Sequence, residues 1–125
     1  MPDYPQSFDY MMAAWNESDS SKVREQLEKA LAPDVRFVDP TIDVTGIDGF
    51  EANVHEVHSR IPGCVYSRAS AVDSQHGFHR YHWAIHDAAG KLVLPGFDVV
   101  ETNEVGLVTC VIGFFGELKR VSPEA

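Results

Sequence analysis

The hydrophobic pattern changes from mainly helical to alternating period at Pro62-Gly63, and this change constrains the fold more than any other feature of the chain. Before it, apolar residues recur at helical spacing. Phe8, Met11, Met12 and Trp15 make one apolar face, and Ser7 or Asp9 stands where a helix cap would be. After a polar break at 16–21, Val23, Leu27, Ala30 and Leu31 make a second face, which Pro33 is expected to end. A short strand is expected at 35–38, leading into Asp39-Pro40, and 41–46 reads as a loop. Asp48 and Glu51 have the spacing of a capping box. Phe50, Val54, Val57 and Ile61 then carry a third helix that Pro62-Gly63 stops.

Beyond that point the period is alternating. Strands are expected at 64–72, 78–86, 91–102 and 107–118, broken at 73–77, 87–90 and 103–106 by Gly, Asp, Asn and Ser. Loops this short join antiparallel neighbours. Helices early and strands late predict an α+β domain spanning 1–125, a length that suits one core. A curved antiparallel sheet wrapped over three N-terminal helices makes a cone open at one end, a natural small-molecule site.

Asp98 lies in the apolar stretch Leu92-Val93-Leu94-Pro95-Gly96-Phe97-Asp98-Val99-Val100. An ionised carboxylate buried without partners is very costly. Asp98 therefore either faces a cavity paired, hydrogen-bonded or neutral, or the Pro95-Gly96 break turns it outward to water. In 78–86, alternation sets His79, Tyr81, Trp83 and Ile85 against Arg80, His82, Ala84 and His86. In the last strand, Leu107, Thr109, Val111, Gly113 and Phe115 share one face, and Val108, Cys110, Ile112 and Phe114 share the other. Both faces are apolar and helices can cover only one, so a second copy of the chain is expected on the outer face.

The net charge of −9, with no basic stripe, argues against a nucleic-acid partner. No apolar run is long enough for a membrane span, and Met1-Pro2-Asp3-Tyr4-Pro5 lacks the regions of a signal peptide, so a cytoplasmic location is expected. Cys64 and Cys110 read as buried reduced thiols, and the tail at 121–125 as frayed. His55 and His58 are three apart on the third helix, a spacing that puts two ligands on one face. No third ligand completes a familiar spacing, so no metal and no cofactor are expected. His58, at the border of the apolar stripe, is a candidate for hydrogen bonding at the cone mouth or for a surface role.

Several stretches together resemble the nuclear transport factor two-like superfamily, which includes ketosteroid isomerases and SnoaL-like polyketide cyclases. They are Trp15-Asn16-Glu17-Ser18-Asp19, the run from Leu31 to Pro40, Gly46-Ile47-Asp48-Gly49-Phe50, Arg80-Tyr81-His82-Trp83, Gly96-Phe97-Asp98, and Gly106-Leu107 through Gly113-Phe114-Phe115. The resemblance covers about 5–118 and implies a cystatin-like cone with a pocket between sheet and helices, and a homodimer formed through the sheet. It also implies roles. Asp39, followed by Pro40, matches the general base of ketosteroid isomerases, and Asp98 matches the acid that donates a hydrogen bond to the oxyanion. The oxyanion Tyr of those enzymes falls on Met11 by a gap-free count, with Tyr10 one residue away.

The resulting site comprises Asp39 and Asp98 as candidate catalytic groups and Tyr10, Trp15, His58, Tyr81, Trp83, Val111 and Phe115 as candidate ligand-binding residues. Two carboxylates in one apolar cavity have their pKa values pushed apart, so one can act as base and the other as acid. Two function classes remain open. One is a cofactor-independent isomerase, cyclase or hydratase acting beside a carbonyl of a small apolar molecule. The other is a non-catalytic ligand-binding or protein-interaction module of the same fold.

Overall fold

The structure, a computed structural model, describes residues 4–122. The start of the expected leaderless N-terminus, 1–3, and the last part of the expected frayed tail, 123–125, lie outside the described residues. Helices α1 (Ser7–Asn16) and α2 (Val23–Ala30) come first, then β1 (Leu31–Asp39), β2 (Ile42–Thr45) and α3 (Ile47–Arg60). The strands β3 (Val65–Arg68), β4 (Asp73–Gln75), β5 (Phe78–His86), β6 (Leu92–Thr102) and β7 (Val108–Phe115) follow. The architecture is α+β: the helices pack on one face of a curved seven-stranded sheet of order β2-β1-β7-β6-β5-β3, with β4 also on β5.

The sheet is mixed, where a wholly antiparallel one was expected. Hairpin links make β5, β6 and β7 alternate in direction, but β1 and β7 run parallel. These two are distant in sequence, and no local pattern reports how such strands meet. The segment 41–46 is not a plain loop: Ile42–Thr45 returns along β1 as a hairpin, with Asp39 opposite Ile42. Helix α2 stops at Ala30, short of Pro33, because Leu31 already pairs with Val108 and the residue before a proline favours extended backbone. Neither expected N-cap forms. Ser7 lies inside α1 and donates to the Gly106 carbonyl at 2.6 Å. Helix α3 begins at Ile47, so Asp48 sits in its first turn, bonded to Arg24 rather than capping.

The expected strand at 64–72 forms only over Val65–Arg68, and Asp73–Gln75, expected as part of the break at 73–77, pairs with β5 as β4. Arg68 pairs with Trp83 and Asp73 with Arg80, so five steps of chain span three steps of β5 and the intervening residues bulge out. A second bulge corrects the faces of β7. Val108 pairs with Thr102 but Cys110 with Glu101, so Thr109 is the extra residue and its hydroxyl turns to Glu101. Val108, expected on the outer face, is therefore fully buried in the core together with Val111. Ile112 and Phe114 keep the outer face, 37% and 55% exposed.

The core joins Phe8, Leu27, Leu31, Val35, Phe50, Val54 and Val100 from helices and strands. Burying each large side chain contributes about 1.5–3 kcal/mol. The core fills one end of the wedge between sheet and helices, and the other end stays open. No helix of the structure is long and apolar enough to cross a membrane.

Candidate active site

Two neighbouring rungs of the sheet build the inner wall at the open end. On one, Trp83 of β5 faces Gly96 of β6, which faces Phe115 of β7. On the next, Tyr81 faces Asp98, which faces Gly113. Asp39 ends β1 beside Gly113. A Cβ on Gly113 would lie 3.1 Å from Asp98 Oδ1 and 3.4 Å from Asp39 Cβ, so the missing side chain keeps a gap between two carboxyl groups. The edge strand β3 adds Tyr66. Its backbone N–H and carbonyl point away from β5 and are both met by the Asn16 side-chain amide, at 2.8 Å each. The end of α1 thereby acts as a further rung on the sheet edge and fixes Tyr66, whose ring stacks on Trp15 at 5.8 Å.

Asp98 is 7% exposed and takes donors from two strands. Trp83 Nε1–H donates to Oδ1 at 2.8 Å, and the Tyr81 and Tyr66 hydroxyls donate to Oδ2 at 3.3 and 3.5 Å. Burial raises the Asp98 pKa from 3.8 to about 7; Trp83, Tyr81 and Tyr66 oppose the rise, and the charge of Asp39 adds to it. Burial also holds the Tyr66 and Tyr81 phenols well above their ordinary value, so both remain donors. Asp39 is held differently. Its Oδ1 accepts from Thr41 N at 2.7 Å, Thr41 Oγ1 at 2.7 Å and Ile42 N at 3.1 Å, closing the turn into β2.

These groups open into a cavity of about 520 Å³. Its walls are Trp15, Phe37, Tyr66, Trp83, Ile85, Leu94 and Phe115, with Asp39, Asp98 and Gly113 on one side. Across from them, α3 presents Asn53, Glu56, Val57 and Arg60, which fall on one helical face, and Ile61 follows just beyond its end. Arg60 Nε pairs with Glu56 Oε1 at 2.6 Å at this rim.

The structure thus brings together Asp39, Asp98, Trp15, Trp83 and Phe115 in one cavity. Tyr81 reaches Asp98 from behind the wall, and Val111 is buried in the core without lining the cavity. Two expected ligand-binding residues lie elsewhere. Tyr10 turns to α2, where Lys29 sits 5.4 Å from its ring centroid, because one residue on a helix is about 100 degrees of rotation. His58 donates through Nε2 to the Trp15 carbonyl at 2.6 Å and borders a separate shallow groove with His55, Ser18 and Ser59. His55 pairs with Glu51 instead. Among the described residues no group of three or more His, Cys, Asp or Glu is arranged to hold a metal ion. Sequence reasoning missed Tyr66, the glycines and the α3 rim. For Tyr66 the signal was present, an aromatic residue in a strand whose start had been assigned.

A crystal structure of a candidate isomerase of the SnoaL-like family from Agrobacterium tumefaciens is 30% identical, with a TM-score of 0.83 over 90% of this chain and 96% of that one. The chain belongs to the SnoaL-like family of the nuclear transport factor two-like superfamily. More distant structures share the fold. A candidate SnoaL-like polyketide cyclase from Jannaschia is 13% identical, with a TM-score of 0.69 over 92% and 89% of the two chains. A protein of cystatin-like fold from Methylobium petroleophilum is 14% identical, with a TM-score of 0.71 over 92% and 76%. No family model and no curated protein matches the chain. Family membership carries an isomerase- or cyclase-type fold, and the chemistry must be read from the site.

Proposed function

We propose that this protein is an acid–base catalyst that moves a proton beside the carbonyl of a small, largely apolar molecule held in the cavity. The observation that carries this reading is Asp98, a nearly buried carboxyl at the cavity wall whose pKa stands at about 7. A group of that pKa is present in both forms near neutral pH and can both take and return a proton. The likeness to a candidate isomerase supports the same class of chemistry.

As a carboxylate, Asp98 takes a proton from the carbon next to the carbonyl. The C–H electron pair becomes the C=C bond of an enolate, and the carbonyl π pair moves to oxygen. Tyr66 lines the cavity, touches Asp98 and stays protonated, so its hydroxyl supplies a hydrogen bond to that oxygen. Where the substrate carries a C=C at the β,γ position, the enolate is conjugated with it. Protonated Asp98 then returns the proton to the far carbon of that C=C, so the double bond shifts into conjugation and the carbonyl reforms, which isomerises the substrate. Alternatively the enolate carbon attacks a second carbonyl and the new alkoxide takes the proton, which closes a ring. The resemblance alone would make Asp39 the base. Its Oδ1 already accepts three local hydrogen bonds, and this favours Asp98 as proton carrier and Asp39 as the fixed charge that helps raise it.

The test is exchange of the α-proton for deuterium, followed by NMR, on a panel of ring-bearing ketones whose binding is read by tryptophan fluorescence. The wild type is expected to exchange at least one of them, and Asp98→Asn to be at least about 100-fold slower with affinity little changed. Ketones that bind without any exchange would contradict catalysis and leave a ligand-binding module.

A further inference from the structure

The rung beside Asp98 holds a contact that the chemistry above does not use. A Cβ on Gly96 would stand 2.0 Å from Cζ2, 2.3 Å from Cε2 and 2.5 Å from Cη2 of Trp83. No side chain tolerates such distances. The indole therefore lies across β6 directly over the bare Cα of Gly96 and meets Phe115 on the far strand edge to face, with centroids 6.0 Å apart. Cε2 is the ring atom bonded to Nε1. The Asp98 side chain projects from the same face of β6 two residues on, and Nε1 reaches its Oδ1 at 2.8 Å. We propose that Gly96 is a positioning residue for Asp98: its missing side chain seats the Trp83 indole so that Nε1–H is delivered to the carboxyl group. The consequence for turnover rests on Asp98 being the proton carrier, whereas the geometry does not.

The groups facing Asp98 are Tyr66 from β3, Tyr81 and Trp83 from β5 and Asp39 from β1. Among the groups that favour the ionised form, Trp83 acts most strongly. A hydrogen bond to a charged group is worth enough that losing it moves a titration by about one to two pH units.

The experiment follows the Asp98 side-chain carboxyl by carbon NMR and the Trp83 indole N–H by proton–nitrogen NMR across pH, without substrate. In the wild type the indole signal is expected to shift with the Asp98 midpoint. In Gly96→Ala the Asp98 midpoint should rise by about one to two pH units and the indole should cease to follow it. Trp83→Phe should raise the midpoint equally, and adding Gly96→Ala to it should raise it no further. A folded Gly96→Ala protein with both signals unchanged would overturn the proposal. If Gly96→Ala does not fold, the same change is made with Trp83→Ala, which empties the space over β6. Recovery of the fold there supports the glycine acting through the indole, and failure to fold there overturns it. None of these signals depends on turnover, so an Asp98 that proves not to be a proton carrier would leave them intact.

Discussion

Asp39 and Asp98 are the same chemical group on the same face of one sheet, separated by Gly113, and they are held by opposite means. The donors to Asp39 lie two and three residues away, in the turn it closes. The donors to Asp98 lie 15, 17 and 32 residues away and meet it only once β3, β5 and β6 are assembled. A local cap forms from short-range geometry and leaves its carboxyl half-buried at the end of β1. A carboxyl ringed by aromatic donors from other strands is stripped of water, and desolvation outweighs the three hydrogen bonds, leaving its pKa near 7. Similar partner counts thus give a structural turn in one case and a carboxyl with a pKa near 7, the proposed proton carrier, in the other.

The sharpest way to break this contrast is kinetic. Asp98→Asn is expected to slow proton exchange at least about 100-fold, and Asp39→Asn by no more than about tenfold, since it removes a charge but not the carrier. An Asp39→Asn loss equal to or larger than that of Asp98→Asn would transfer the role to Asp39.

A second effect concerns stability. The folded Asp98 pKa is raised above the unfolded value, so between about pH 4 and 7 the native state keeps a proton that the unfolded chain has lost. Stability from this group is fully present below pH 4 and falls as pH rises, by about 4 kcal/mol in total for a rise from 3.8 to about 7. Urea unfolding of wild type and Asp98→Asn across that range should show the difference between them closing or reversing in favour of Asn. A difference independent of pH would contradict the burial argument. The smallest effect belongs to the turn: Asp39→Ala leaves Thr41 N and Ile42 N without their acceptor and should cost about 1–2 kcal/mol by urea unfolding.

The same contrast governs what could be read in the sequence. Asp39-Pro40 announces a turn by itself, and Asp98 stands out as a charge among β-branched and aromatic neighbours. Alternation sorts Tyr81, Trp83 and Phe115 onto one face and the resemblance makes that face the inner one, and strict two-residue periodicity holds through those stretches. It failed at Val108, where the bulge at Thr109 inverts the faces, and after Arg68, where extra residues end the expected strand early and pairing resumes inside the expected break at 73–77. Asn16 read as part of a polar break, but its amide completes the edge of β3, a contact 50 residues away that leaves no local pattern. The parallel pairing of β1 with β7 and the closeness of Gly113 to both acids likewise follow from strands meeting across the chain.

The central claim is that Asp98 is a proton carrier tuned to neutral pH, and direct titration tests it. Carbon NMR of aspartate-labelled protein, with Asp98 assigned by its absence in Asp98→Asn, is expected to give a midpoint near 7. A midpoint near the ordinary 3.8 would mean a solvated or fully compensated carboxylate and would contradict the account.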